Sequence, residues 1–252
     1  VNALPPCGGC LLGKFVRLPF KRRNSEVYDS NLVTVNLDAF GPNRTPSLRG
    51  NVYFTVAVCR RSREAYVYFH ADFKNYPDLI EQVFLEYNAR HGTYPTRIRF
   101  DRASVNLNKI VEAIAHKYGC IVVPTPARCE ELNGIVERFI RQMQEMARCS
   151  MQQSGLPMFL WEECVRAMCY VRHYIPCSAN PGSKSPFEME NRKVPDVSHL
   201  SPWGVRCFAK LNYDTRGRLR PDGKLGASAE AGFIVGYTTN PADRGYRVYF
   251  PN

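Results

Sequence analysis

The spacing of apolar residues changes period several times along this chain, and each change locates an element. Residues 32–38 alternate, carry Val33, Thr34, Val35 and Leu37, and stop before Gly41-Pro42, a pattern that predicts a strand. Residues 52–59 (VYFTVAVC) and 65–70 (AYVYFH) predict two more strands. The charged turn Arg60-Arg61-Ser62-Arg63 joins them so briefly that they should pair antiparallel. The period then becomes helical over 78–91, with Leu79, Ile80, Val83, Phe84 and Tyr87 on one side and Gly92 placed to end the helix. Residues 97–101 predict a short strand. Residues 107–118 predict a helix with Ile110, Val111, Ile114 and Ala115 on its apolar face and Gly119 at its end. Residues 120–123 predict a buried strand ended by Pro124 and Pro126, and 134–153 is the longest periodic segment. After Gly155-Leu156-Pro157 a further helix runs to about residue 175, and three strand-like runs follow at 206–211, 232–237 and 246–250.

Three strands, a helix, a strand, a helix, a strand and two helices describe an α/β layer fold with a small β unit appended. The expected domains are a basic linker over 1–30, a core over 31–176, a Pro-, Gly-, Ser- and Asn-rich linker over 177–205, and a β-rich module over 206–252. At 252 residues and 44% hydrophobic, the chain can bury a core without staples. Its ten cysteines therefore read as small hydrophobes in a reducing compartment rather than as a disulfide scaffold. No apolar run approaches about 18 residues, so no membrane span or membrane partner is expected. The chain begins at Val1 without the features of a secretory signal and is expected to be a piece of something longer.

Charge alters this picture. Lys and Arg number 34 against 23 acidic residues, a formal net charge of +11, which favours a polyanion as partner. Basic residues gather at Lys21-Arg22-Arg23 and at Arg216, Arg218, Arg220 and Lys224, as phosphate-tracking clusters or simply as solvated charge.

Three carboxylates fall where this order of elements would let them converge. Asp38 is expected at the end of the first strand, Asp101 at the end of the fourth, and Glu137 in the first turn of the long helix, with 35 residues between the last two. Magnesium is a hard cation that takes oxygen ligands, and two such ions can activate an attacking oxygen and stabilise a leaving one at phosphorus. On the long helix Glu137, Arg141, Gln144 and Arg148 form one polar stripe opposite Val136, Ile140, Met143 and Ala147. Arg141 and Arg148 are thus candidates for phosphate contact, or Glu137 and Arg141 form an ordinary surface pair.

With these acids in order, the chain resembles the integrase region of copia-type retrotransposons, within the retroviral integrase superfamily. The matching stretches are Cys7-Gly8-Gly9-Cys10 with Leu12-Gly13-Lys14; Asp38 with Gly41-Pro42; Asp101; and Asn133-Gly134-Ile135-Val136-Glu137-Arg138. Ser154-Gly155-Leu156-Pro157 with Phe159, Trp161 and Glu162, then Ser185-Pro186-Phe187-Glu188, Ser198-His199-Leu200 and Gly245-Tyr246-Arg247 continue the likeness in collinear order. The resemblance implies a ribonuclease H-like core with a mixed five-stranded sheet flanked by helices. It also implies a catalytic, metal-binding triad at Asp38, Asp101 and Glu137 that holds two magnesium ions, or manganese. The implied reactions are processing of element DNA ends and strand transfer into target DNA. A homo-oligomer, a Gag-Pol type polyprotein context, and a location in virus-like particles in the cytoplasm and in the host nucleus are implied as well.

The chain departs from the family at Asp101-Arg102-Ala103-Ser104, where Asn-Gly-Gly is usual, and at Cys129-Glu130-Glu131. A decayed or domesticated fold that binds nucleic acid without catalysis is therefore the alternative. Cys7 and Cys10 match half of a zinc site; zinc needs four ligands, so it is expected only if a histidine pair upstream of Val1 completes the set.

Overall fold

The computed structural model describes residues 33–100, 105–123 (side chains from 109 on), 134–210, 229–238 and 245–251. A five-stranded sheet has the order β3-β2-β1-β4-β5, formed by β1 (Thr34–Phe40), β2 (Tyr53–Cys59), β3 (Ala65–His70), β4 (Arg97–Phe100) and β5 (Ile121–Val122). The first three strands pair antiparallel, while β4 lies parallel to β1 and β5 parallel to β4. The helices are α1 (Tyr76–His91), α2 (Val105–Lys117), α3 (Gly134–Ser154), α4 (Trp161–Tyr174) and α5 (Pro186–Asn191). This mixed five-stranded sheet, with helices on both faces, has the layout that the resemblance to ribonuclease H-like cores implies.

Strand alternation assigns the two faces. Val33, just before β1, and Val35 and Leu37 of β1 join Ala57 and Cys59 of β2 in one core cluster, closed by Ile80, Val83 and Phe84 of α1 and Val111 and Ala115 of α2. The opposite face carries Phe54, Val56 and Val58, which pack with Val136, Phe139, Ile140 and Met143 of α3 and with Trp161, Cys164 and Val165 of α4. Each large apolar side chain taken fully from water contributes about 1.5–3 kcal/mol, so these two clusters hold the layers together.

Local boundaries follow recognisable chemistry. Helix α3 ends where Gly155 adopts a left-handed backbone (φ 65°) and donates its N–H to Met151 O. Helix α4 ends at Ile175, which is extended because Pro176 follows. Four expectations need correction. Strand β5 covers only Ile121–Val122, and as the outermost strand it leaves Ile121 61% exposed rather than buried. Strand β1 continues to Phe40, since Ala39 and Phe40 go on pairing with Thr55 and Phe54, so Asp38 sits within the strand and not at its end. Ile110 is 46% exposed, because Val111 and Ala115 take the contact with the sheet. Within 177–205, Ser185 caps α5 through a capping box with Glu188, a signal hidden by the surrounding Pro and Gly.

A second sheet, in the order β6-β7-β8, comprises β6 (Arg206–Lys210), β7 (Ala229–Tyr237) and β8 (Tyr246–Tyr249). Its Val235 and Tyr237 belong to the α3–α4 cluster, Trp203 Nε1 donates to Val235 O, and the Tyr237 ring stacks on Tyr170 of α4 at 4.4 Å. Gly204, before β6, has a left-handed backbone, and a β-carbon there would collide with Ser154. Among the described residues, no helix is long and apolar enough to cross a membrane.

Candidate functional site

Asp38 lies on the strand at the middle of the sheet, with β2 on one side and β4 on the other. Its neighbour Leu37 is fully buried toward α1, so alternation turns Asp38 to the opposite face. That face carries its cross-strand partner Val56 and, two residues on, Phe40, both packed in the cluster that α3 closes. Asp38 is half-buried, and its Oδ1 accepts the Ala39 N–H at 2.8 Å. Burial chiefly, with the Asp38 charge adding to it, pushes the Tyr76 hydroxyl up to about 12.

Glu137 is exposed in the first turn of α3, one residue after fully buried Val136. Helix α3 packs on β1 and β2, so the strand bearing Asp38 and the helix bearing Glu137 are adjacent. The positive end of the helix dipole favours a carboxylate at that position. Arg141 and Arg148 are exposed on the same stripe, and Gln144 is half-buried. Strand β4 is described to Phe100, which pairs with Leu37. Asp101 itself lies outside the described residues, as do Cys7, Cys10, Lys21, Arg22, Arg23, Arg216, Arg218, Arg220 and Lys224. Asp38 and Glu137 offer oxygen donors on two rigid elements that share a side of the sheet. Such donors fit a hard divalent cation.

The loop that follows β1 is fixed by Gly41 and Glu162, which the motifs contained, acting with Ser47, Arg49 and Asn51, which the sequence reading did not single out. Gly41 has φ 139°, and a β-carbon there would stand 2.6 Å from Tyr53 Cδ1 and 2.7 Å from Val52 O, so the turn leaving β1 admits only glycine. Beyond it, Glu162 in the first turn of α4 accepts hydrogen bonds from Ser47 Oγ (2.7 Å), Arg49 Nη1 (2.6 Å), Asn51 Nδ2 (2.9 Å) and Arg166 Nη2 (3.0 Å). Burial alone would push this carboxyl up, but the four donors hold it below the usual range. Its neighbour Glu163 accepts two bonds from Arg247 of β8, at 2.9 and 2.7 Å. Two acids within the first turn after Pro157 were the available signal.

Among the described residues, one group of three side chains could offer ligand atoms to a metal, and it is not the predicted triad. Glu64, His91 and Glu190 place their atoms within 4.8 Å of one another. His91 Nε2 lies 2.8 Å from Glu64, and Nδ1 lies 3.3 Å from Glu190. Burial would lower this imidazole, but the carboxylates on both sides outweigh it and lift it to about 9. Each ring nitrogen already faces an anion, so the group is an imidazolium clamped between carboxylates. It borders a cavity of about 530 Å³ with Tyr66, Arg90 and Arg166 among its walls.

No family model matches the chain. Curated relatives do. The chain is 24% identical over 256 residues to the Transposon Ty1-DR6 Gag-Pol polyprotein of Saccharomyces cerevisiae, covering 98% of this chain and 14% of that protein. The Ty1-LR3 polyprotein of the same yeast matches to the same extent, and the truncated Ty1-A polyprotein matches with 20% of its length covered. Over nearly its whole length the chain is similar to the Ty1 Gag-Pol polyproteins. It spans about a seventh of the full-length relatives, and the likeness to copia-type integrases carried by its motifs stands. Among solved structures, the magnesium complex of the HTLV-2 integrase catalytic core domain, in a trimeric form, aligns with a TM-score of 0.46 and 14% identity. The alignment covers 62% of this chain and 95% of that one.

Proposed function

We propose that the chain is the catalytic region of a retrotransposon integrase, a metal-dependent polynucleotidyl transferase that trims element DNA ends and joins them to target DNA. The observation that carries this reading is the placement of Asp38 on the central strand, turned to the face that α3 covers, with Glu137 in the first turn of that helix. The collinear likeness to the Ty1 polyproteins supports it.

Asp38, Asp101 and Glu137 would hold two magnesium ions, which supply activation of the attacking oxygen and stabilisation of the leaving one. The parallel register that pairs Phe100 with Leu37 favours Asp101 as the third donor. The protein's own part is to orient these oxygens and to bind phosphates through Arg141 and Arg148. In end processing, a water oxygen forms the new bond to phosphorus and the 3′ oxygen of the retained strand leaves with a proton. In strand transfer, that 3′-hydroxyl attacks a target phosphodiester, one P–O bond replaces another, and no covalent enzyme intermediate is required. DNA ends and target DNA are the proposed partners, together with further copies of the chain and a Gag-Pol polyprotein context in virus-like particles and the nucleus. The proposed division into a basic 1–30 segment, a 31–176 core, a 177–205 connector and a 206–252 module follows the same reading.

Strand transfer on short duplex DNA with Mg²⁺ or Mn²⁺ tests the proposal. The unsubstituted chain is expected to give joined products, and Glu137→Gln to abolish them while circular dichroism stays unchanged. A folded unsubstituted chain that binds DNA but joins none overturns the catalytic reading and favours a domesticated DNA-binding fold.

A further inference from the structure

The ionic network at the start of α4 lies outside the proposed metal centre, yet it joins the elements that carry that centre. Glu162 is 2% exposed and Glu163 5% exposed, and both are charged groups within a largely apolar cluster of helices. Replacing such buried ion pairs by apolar residues is commonly neutral or stabilising, so stability alone does not account for them; in some proteins such groups select one arrangement among several. What this network selects is visible in its connections. Ser47 Oγ gives its hydrogen to Glu162 and accepts the N–H groups of Arg49 and Asn51, at 3.2 and 3.1 Å, making it the hub of the loop between β1 and β2. Trp161 Nε1 donates to Thr45 O, and Leu48 N donates to Phe159 O, so the first side chain of α4 and the backbone just before it both hold the same loop. Arg49 reaches both acids, with Nη1 2.6 Å from Glu162 and 3.2 Å from Glu163. Arg247 fixes Glu163 from β8.

The loop held in this way leaves β1 three residues after Asp38, by way of Gly41. The helix that holds it packs against α3, which carries Glu137. We infer that Glu162, with Ser47 and Arg49, is a positioning element of the metal centre. It locks the loop after Asp38 to the helix that supports Glu137, and so sets the separation of the two oxygen donors. This rests on the metal-centre reading given above. The hydrogen-bond partners of Glu162 are Ser47, Arg49, Asn51 and Arg166, not Asp38 or Glu137, so it acts through the loop and the helix pair. Metal ligands need placement within roughly 0.5 Å, and changes to groups that orient ligands typically weaken metal binding or activity by about 10–100-fold.

The test uses the full chain, Glu162→Gln and Ser47→Ala. The second variant leaves every charge in place and keeps the test open if the first fails to fold. Hydrogen exchange over residues 43–51 reports the loop, paramagnetic titration reports Mn²⁺ affinity, and single-turnover strand transfer and DNA affinity are measured alongside. The expected result is faster exchange in the loop, Mn²⁺ binding weakened by about 10-fold in Glu162→Gln, and a matching loss of transfer rate. DNA affinity is expected to stay unchanged. A loosened loop with unaltered Mn²⁺ affinity and rate overturns the inference and leaves the metal centre standing. Failure of the unsubstituted chain to bind Mn²⁺ overturns the metal-centre reading, and this inference with it.

Discussion

At the scale of single residues, a few side chains and one glycine carry constraints that their neighbours do not. Gly41 is one. Its backbone conformation and the closeness of Tyr53 and Val52 leave no room for a β-carbon, so Gly41→Ala should destabilise the fold by about 1 kcal/mol or more in urea titration. Gly50, whose β-carbon would meet nothing within 4 Å, is the control and should cost less when replaced by alanine. His91 is another. Its folded value near 9 stands above its ordinary 6.5, so the native state binds the proton more tightly than the unfolded chain does. The stability this contributes is full below pH 6.5 and is lost as pH rises through about 9. Thermal melts should fall between pH 6.5 and 9.5, and His91→Gln should flatten that fall; a slope identical in the two proteins would refute the clamp. Sequence inspection singles out Asp38 and Glu137 because each stands beside recognisable motif neighbours. It missed Glu64, His91 and Glu190, because their meeting depends on three elements distant in the chain.

At the scale of elements, legibility follows periodicity. Helix α3 was read almost to the residue because its buried positions, Val136, Ile140, Met143, Ala147 and Met151, recur every turn for 21 residues. The same stripe makes a prediction on each side of the helix. Met143 is fully buried, so Met143→Ala should cost about 2–5 kcal/mol. Arg141 is exposed on the polar side, so Arg141→Ala should weaken DNA binding across all sequences and lower the salt dependence of log K by about one counterion. An unchanged salt slope would remove Arg141 from the proposed phosphate contacts. Short elements were harder. Helix α5 has only six residues, and its Ser185–Glu188 capping box lies in a segment whose average composition suggests a connector. The extent of β1 depended on pairing with β2, which no local pattern reveals.

For the molecule as a whole, the order of elements indicates an α/β layer fold and the family resemblance a mixed five-stranded sheet, while the strand order comes from the structure. The placement of β1 between β2 and β4 turns a list of strands into a site, because it gives Asp38 a face shared with α3. The three-stranded sheet shows what composition could not convey. Its residues Val235 and Tyr237 complete the same cluster that supports α3 and α4, and Arg247 reaches Glu163. The central claim is that Asp38 and Glu137, with Asp101, share a pair of divalent ions. Anomalous diffraction from crystals of the full chain soaked in Mn²⁺ measures this directly. The account predicts two peaks about 3.5–4 Å apart in contact with the Asp38 and Glu137 carboxylates. Peaks confined to Glu64, His91 and Glu190, or none beside Asp38 at saturating Mn²⁺, would contradict it.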